Sequence, residues 1–501
     1  MTQNTAHVSQ AQLWRIAIQT IDEQLTLAPS NLSLQFERAC LLAESGRFSE
    51  AQTAYLKILI EDPTHLGALN NLGSLLYQTG YRTAAHTAYT EAVARYPADP
   101  MSRVNMANAL LDNEDYAAAK NHYQEALRID PAYAPAHQGL SYALRELGDE
   151  EGAALHRQQG FAASPIVTMP YYGEQPPVPV LLLISALRGN TPTQWLFDKR
   201  VYQLYTVFAE YVESQTDLPP HLLVFNAISD ADLCMTALHK AKALLTRTHA
   251  PVLNAPAGVE QTARDAMAAR LSPIPGLIVP RTRRLTRAQL TGQNAERNLA
   301  ELGMAFPLLL RAPGYHTGRF FVKVEQPSDL AASCAQLPGD EWYAIEYLDA
   351  RGRDGLVRKY RVMLIDGTLY PLHLAISSDW KVHYFRSEMA ASSKHRTEEE
   401  AFLLDMQRVL GTKAMTALAS VQKEVGLDYA GIDFGLNQDG EVLLFEVNAT
   451  MIVHPPEPDP TWDYRRPATA RVIAAFRRMI DDTVKNRANR SSEITATTFT
   501  V

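Results

Sequence analysis

At 501 residues the chain is too long for one hydrophobic core, and its net charge of −8 with a pI near 6.0 lacks the clustered positive charge of a nucleic-acid footprint. Hydrophobic residues make up 46% and charged residues 20%, an ordinary soluble composition, and no stretch approaches the roughly 20 apolar residues of a membrane helix. The start lacks the basic and apolar regions of a signal peptide, and three scattered cysteines (Cys40, Cys234, Cys334) imply neither disulfides nor structural zinc, so a cytoplasmic multidomain protein is expected.

Residues 9–28, ending before Pro29, read as a helix. From there the chain repeats itself. Pro29, Pro63, Pro97, Pro131 and Pro165 are 34 residues apart, and Ala51, Ala85, Ala119 and Ala153 keep the same step. So do Tyr55, Tyr89 and Tyr123, and Leu42, Leu76, Leu110 and Leu144. Independent positions sharing one period predict four helix–turn–helix units, starting near Leu32, Leu66, Pro100 and Ala134 and stacked into a solenoid. The pattern resembles the tetratricopeptide repeat across residues 32–165 and gives a first domain of residues 1–165. The fourth unit departs from it, with Arg157 where the others have an aromatic, and is expected to dock on the segment after it. The resemblance implies a concave groove lined by the first helices, whose face would carry Asn70, Asn71, Ser74, Asn105, Asn108 and Gln138. Amides offer a donor and an acceptor together, which suits an extended peptide. A peptide or protein substrate is the expected occupant; the alternatives are that these amides only face water or that the repeats mediate homodimerisation.

The proline- and tyrosine-rich residues 166–179 read as a linker. Beyond it strands and helices alternate: strands at 180–185 and 222–226, helices around 195–214 and 231–245, a strand ending at Asn254, and a helix over 258–271. This alternation predicts a small α/β lobe at 180–255. Strands at 306–311 and 320–324 then flank a loop, Ala312-Pro-Gly-Tyr-His-Thr-Gly-Arg319, within a second lobe at 256–350. Two Asp-Gly pairs, at 366–367 and 439–440, mark hairpins in a third lobe at 351–483. Residues 484–501 lack periodicity and are expected to be disordered.

The last hairpin carries the chemistry. A two-residue turn at Asp439-Gly440 pairs Gln438 with Glu441, which sets Asp433 opposite Glu446, with Asn448 on the same face. Opposed carboxylates among apolar neighbours repel, and a divalent cation between them turns that cost into a site. Oxygen donors alone suit Mg²⁺, with Mn²⁺ as a substitute. The alternative is a strand face that merely carries acids toward water.

The segments Asp433-Phe-Gly435 and Phe445-Glu-Val-Asn448 resemble the metal-binding end of ATP-grasp ligases such as glutathione synthetase and the ribosomal-protein glutamate ligase. Other pieces follow in the family's order: Val252-Leu-Asn-Ala-Pro256, Arg264-Asp265, Phe306-Pro-Leu-Leu-Leu-Arg311, the glycines Gly314 and Gly318, and Tyr343-Ala-Ile-Glu-Tyr-Leu348. The fold class so implied is a multidomain chain, an all-α tetratricopeptide solenoid followed by an α+β ATP-grasp fold. The resemblance implies ATP and Mg²⁺ as cofactors and an acylphosphate route joining a small carboxylate to an amine. It also implies Arg264 and Arg311 on the phosphates, Gly314 and Gly318 in a closing loop, and Glu346, Tyr347 and Leu348 at adenine. Asp433, Glu446 and Asn448 would hold the metal, with Arg361 and Arg311 as catalytic cations. Arg361 lies in Arg358-Lys-Tyr-Arg361, which reads alternatively as a solvated edge strand. His316, His373 and His383 have no assigned part. A non-catalytic repeat scaffold with an ATP-sensing domain, or a kinase using the same nucleotide site, are the competing functions.

Overall fold

The proline spacing translates directly into helices. In a computed structural model describing residues 10–315, 318–382, 387–456 and 459–498, the chain divides into two units. One holds the residues up to Val180 together with Asp198–Pro220, the other Leu181–Phe197 together with the residues from His221 on.

In the first unit α1 (Gln10–Leu27) precedes four helix pairs: α2 (Leu32–Glu44) with α3 (Phe48–Glu61), α4 (Leu66–Gln78) with α5 (Arg82–Arg95), α6 (Pro100–Asp112) with α7 (Tyr116–Ile129), and α8 (Ala134–Glu146) with α9 (Glu150–Phe161). The first helices start at the predicted residues. Asn31 and Asp99 cap two of them by accepting from the amides of Leu34 and Ser102. Ala39, Ala51, Ala85, Ala107, Ala119 and Ala153 are fully buried where paired helices meet, and Tyr55, Tyr89 and Tyr123 fill the space beside them. Each tyrosine hydroxyl reaches back fifteen residues, to Cys40 at 3.5 Å, Ser74 at 3.4 Å and Asn108 at 2.6 Å.

The structure corrects the groove assignment at Asn70, which is buried; the other five residues are half-buried or exposed. Asn70 is buried and donates to Ser102 at 2.9 Å and Asp99 at 3.2 Å, while Asn105 donates to Asn70 and Asn71 to the Tyr55 hydroxyl. Ser74 and Asn108 meet tyrosines, and Gln138 donates to the Gly160 carbonyl at 2.7 Å. A buried amide needs partners, and Asn70 finds them at the start of the next repeat. Tight packing has a measurable consequence at Gly139, where a Cβ would stand 2.1 Å from Cζ of the buried Tyr123 ring. Gly139→Ala is expected to destabilise the repeats by about 1–3 kcal/mol, read from the shift of the urea midpoint.

Residues 166–179 are not a linker. β1 (Ile166–Thr168) pairs antiparallel with β3 (Tyr202–Phe208), Ile166 opposite Val207, and Tyr172 packs on Trp14 with ring centroids 5.6 Å apart. β2 (Val178–Ile184) lies between them in sequence. The helix expected at 195–214 is thus the strand β3, because Tyr202-Gln-Leu-Tyr-Thr-Val-Phe208 is aromatic and β-branched and buries Tyr202, Leu204 and Val207. The fourth repeat docks as expected: Phe161 packs on Phe208 and Tyr211.

The second unit begins its regular elements with β4 (Leu223–Asn226), α10 (Met235–Leu245) and β5 (Val252–Leu253), the two strands being parallel. The helix expected over 258–271 is broken into α11 (Pro256–Glu260) and α12 (Arg264–Leu271). β6 (Leu277–Ile278) comes next. An antiparallel sheet in the order β7-β10-β8-β9 comprises β7 (Thr282–Thr286), β10 (Glu341–Glu346), β8 (Leu308–Arg311) and β9 (Phe321–Val324), with α13 (Arg287–Thr291), α14 (Ala295–Glu301) and α15 (Leu330–Cys334) among its connections. Leu308, Leu310 and Trp342 point into its core with Leu290, Leu299 and Leu330, so Leu309, Arg311, Tyr343 and Ile345 face the other way.

A second sheet, in the order β12-β11-β13-β14-β6, adds β11 (Val357–Ile365), β12 (Thr368–Ser377), β13 (Tyr429–Leu436) and β14 (Val442–Asn448). With it go α16 (Ser393–Leu404), α17 (Met406–Val425) and α18 (Arg466–Thr498). Asp366 and Gly367 both have positive φ, 45° and 73°, so the first Asp-Gly pair makes the expected two-residue turn between Ile365 and Thr368. The disorder expected from Val484 is not seen over residues 484–498, which continue α18; no glycine or proline interrupts them, and helix extension from a packed stem adds a hydrogen bond per residue. Among the described residues no helix is long and apolar enough to cross a membrane.

Candidate functional site

β11 is an interior strand, paired with β12 and β13, so Arg358-Lys-Tyr-Arg361 is not a solvated edge. Alternation sends Tyr360 one way, to stack on Phe434 and meet Phe402 edge-on, and Lys359 and Arg361 the other. On that second face Asp433 accepts from Arg361 at 2.6 and 2.8 Å, a bidentate pair, and from Lys359 Nζ at 2.7 Å. Burial alone would raise the Asp433 carboxyl, but the two cations outweigh it and hold it well below the usual carboxylate range. Its side chain is 1% exposed.

Glu446 stands opposite Asp433, as the sequence predicts, though by a different route. The turn is one residue longer than expected: Asn437 N–H donates to the Glu441 carbonyl, Gly440 takes φ 71°, and the Asn437 side chain holds the Asp439 and Glu441 amides. A bulge between Asp433 and Phe434 then restores the register, leaving Phe445 as the extra residue of β14. Arg264 uses the bulge, donating to the Phe445 carbonyl at 3.2 Å and to Glu446 at 2.6 Å. The opposed carboxylates therefore do not face each other uncompensated: each has its own cation. Asn448 accepts from the Thr450 amide at 2.9 Å.

Arg311, at the end of β8, donates to the Tyr315 carbonyl at 2.7 Å and lies 4.0 Å from Glu446. Burial, and then the neighbouring Arg264, pull its guanidinium down to about 10, still a cation at neutral pH. Gly314 and Gly318 both adopt left-handed backbone, φ 73° and 76°. Glu346 is fixed by exchange with Arg281, accepting from its amide at 3.0 Å, and Tyr347 lies under the Lys323 ammonium, 3.9 Å from the ring centroid.

These residues line two adjoining voids in the second unit. The larger, ≈ 400 Å³ and in the range of small-molecule sites, is bounded by Arg264, Arg311, Gly318, Glu346, Tyr347, Leu348, Arg361, Asp433, Glu446 and Asn448. Its apolar part comprises Leu309, Phe321, Ile345, Trp380 and Leu444. The smaller, ≈ 70 Å³, is bounded by Gly314 and shares Arg264, Arg311, Glu446 and Asn448. Every site residue expected from the sequence thus borders one void or the other. Lys359 was missed, although its place two residues before Arg361 puts it on the same face; Lys381, His454 and Arg465 also line the larger void without a sequence signal. His373, opposite Arg361, lines it too and is held neutral, its imidazole pushed well below the ordinary value by burial and then by Arg361. His316 and His383 lie outside the described residues.

Among the described residues no group of three or more His, Cys, Asp and Glu side chains is placed to hold a metal. Asp433, Glu446 and Asn448 offer oxygen donors only, and a carboxylate oxygen accepting one hydrogen bond keeps a second lone-pair direction. A bare divalent cation would meet Arg264, Arg311, Lys359 and Arg361, so the donor set fits a cation that arrives with phosphate charge.

Sequence profiles of the tetratricopeptide repeat match residues 36–100 and 102–133, so the first unit carries tetratricopeptide repeats. Solved structures similar to the chain include MamA, 18% identical over 31% of this chain and 94% of that one with a TM-score of 0.27. MamA from Desulfovibrio magneticus is 21% identical over 31% of this chain and 95% of that one, TM-score 0.27. A thermophilic repeat protein from Thermus thermophilus is 22% identical over 26% of this chain and 74% of that one, TM-score 0.25. No curated protein sequence matches the chain. The repeats are followed by a mixed α/β region with several sheets.

Proposed function

We propose that the second unit is an ATP-dependent carboxylate–amine ligase of the ATP-grasp kind and that the repeats recruit a peptide or protein substrate to it. The observation that carries this reading is convergence. Residues as far apart in sequence as Arg264, Arg311, Glu346, Arg361, Asp433 and Glu446 border one cleft, with an apolar end suited to a base and a cationic end suited to phosphates. The net reaction takes a carboxylate, an ammonium and ATP to an amide, ADP, phosphate and a proton.

Leu309, Ile345 and Leu444 would enclose the adenine, with Glu346 fixed beside it by Arg281. Arg264 and Arg311 would receive the triphosphate, and Arg361, held by Asp433, would neutralise charge developing at the transferred phosphoryl group. Mg²⁺ bound by Asp433, Glu446 and Asn448 would supply charge neutralisation for the phosphates. Tetratricopeptide repeats commonly bind proteins, which supports recruitment. The full chain with ATP, Mg²⁺ and a panel of carboxylates and amines, followed by mass spectrometry, is expected to yield ADP only when a divalent cation is present, together with an amide. A phosphorylated acceptor as the final product would make it a kinase, and no ADP under any condition would favour the non-catalytic scaffold.

A further inference from the structure

The fourth repeat holds two histidines in contact, far from the cleft in sequence. His137 lies on α8 and is buried, 6% exposed; His156 lies on α9 and is half-buried. Their rings stack, with centroids 5.0 Å apart and planes 28° apart, and their Nδ1 atoms stand 2.7 Å from each other. At that distance one nitrogen must donate and the other accept. The Pro131 carbonyl settles which. It lies 2.9 Å from His137 Nε2 and can only accept, so His137 carries its proton there and its Nδ1 offers a lone pair. His156 therefore donates from Nδ1 and keeps its own lone pair on Nε2.

We propose that this pair is an acid-sensitive clasp between the two helices of the fourth repeat, closed with one added proton or none and parted by a second. The first proton enters at His156 Nε2 and leaves the bond intact, since an imidazolium is a stronger donor. The second can go only to His137 Nδ1, which sets N–H against N–H and cation against cation at 2.7 Å. The pair thus takes up its protons in two steps, the second withheld by the fold. Burial, and then His137, already hold the His156 imidazole below its ordinary value, with Asp149 acting the other way. The other charged groups nearby are engaged elsewhere. Asp149 caps α9 at the Gly152 amide, Asp130 accepts from the Ala132 amide, Arg145 pairs with Glu146, and Arg157 turns to Tyr211. On α7, His122 meets the fields of Arg103 and Glu125. Among the described residues, then, neither imidazole of the pair is bonded to a carboxylate that would hold a second proton in place. Below the ordinary imidazole value near 6.5 the folded chain binds fewer protons than the unfolded one, so the clasp contributes fully above that pH and less as the pH falls beneath it. α9 carries the loss onward. It ends at Phe161, whose ring packs on Phe208 and Tyr211, so loosening α9 weakens the hold of the repeats on β3. None of this depends on the ligase reading.

The test is hydrogen exchange of the full chain at about pH 7.5 and about pH 5, on either side of the imidazole range, each rate divided by the intrinsic rate at its pH. Helices α2 and α3, which hold no histidine, serve as the internal reference. Between the two conditions α8 and α9 are expected to lose about tenfold more protection than the reference helices, one withheld proton being worth up to about tenfold per pH unit. His156→Gln is expected to bring that excess below about threefold, because its amide can donate to a neutral His137 or, turned over, accept from a charged one. His137→Gln is expected to do the same and serves should His156→Gln unfold. His122→Gln is expected to leave the excess in place. No excess loss in the wild type, an excess that survives in the pair variants, or one that disappears in His122→Gln overturns the clasp.

Discussion

Asp433→Ala is expected to destabilise the second unit by about 3–5 kcal/mol, because it strips the counter-charge from two cations at once. Arg361 and Lys359 both end on this carboxylate, their side chains only 20% and 21% exposed, and alanine leaves them side by side with mutual repulsion and no partner. The acidic residue across the ladder cannot replace it, since Glu446 is already engaged by Arg264. The linkage has a definite sign. The carboxyl of Asp433 is depressed in the folded state, so its contribution is fully present above the unfolded value near 3.9 and is lost as pH falls through the folded value. Urea unfolding at pH 7 and at pH 3 checks both parts: the gap between wild type and variant is expected to be full at pH 7 and to shrink at pH 3. A gap under about 1 kcal/mol at pH 7 would mean that the carboxylate is not the anchor of the two cations. Glu446→Gln, directly across on the opposing strand and more exposed, is expected to cost less stability than Asp433→Ala because its amide oxygen can still accept from Arg264, yet to lose ADP formation because one of the proposed metal oxygens becomes an amide nitrogen or a neutral oxygen.

The repeats were fully legible because packing identical helix pairs on one another forces the same small or aromatic residue to recur at one position, as Ala51, Ala85 and Ala119 do. What the asparagines do was not legible: Asn70 meets Ser102 and Asp99 about thirty residues on, and no local pattern distinguishes a groove amide from an inter-repeat strut. The same non-locality hid β1, whose partner β3 lies some forty residues later, so that an apolar triplet between prolines read as linker. In the cleft, the facing of Asp433 and Glu446 was inferred from a turn that is one residue too short, and it holds because the bulge at Phe445 cancels the error. Lys359 was within reach, since period two from Arg361 exposes it. Beside the smaller void, the cluster of Asp232, Arg284 and Tyr343 was not, because three segments meet there only through the fold.

Arg311→Met is expected to do the opposite of Asp433→Ala: to keep or raise stability, by up to about 1–3 kcal/mol, while weakening Mg·ATP by roughly 10- to 100-fold. Arg311 is a buried cation, 11% exposed; the Tyr315 carbonyl takes one of its protons, and its ion-pair partner Glu446 stands 4.0 Å away and is held more closely by Arg264. Its guanidinium is pulled down to about 10 because the folded state disfavours its charge, and a base whose folded value is lowered is a liability at neutral pH. Methionine keeps much of the volume, removes the charge and can pack on the Phe321 ring, which now lies 5.4 Å from the guanidinium. A fold retains such a residue only if something else makes use of the charge, and an incoming phosphate, forming one or two charge-assisted hydrogen bonds, accounts for the affinity lost. Arg361→Met provides the contrast, since it abandons Asp433 and is expected to lower stability together with turnover. Thermal or urea unfolding without nucleotide, set beside calorimetric titration with Mg·ATP, separates the two arginines. If Arg311→Met is less stable than wild type and binds Mg·ATP as well, Arg311 is a structural cation and the nucleotide lies elsewhere.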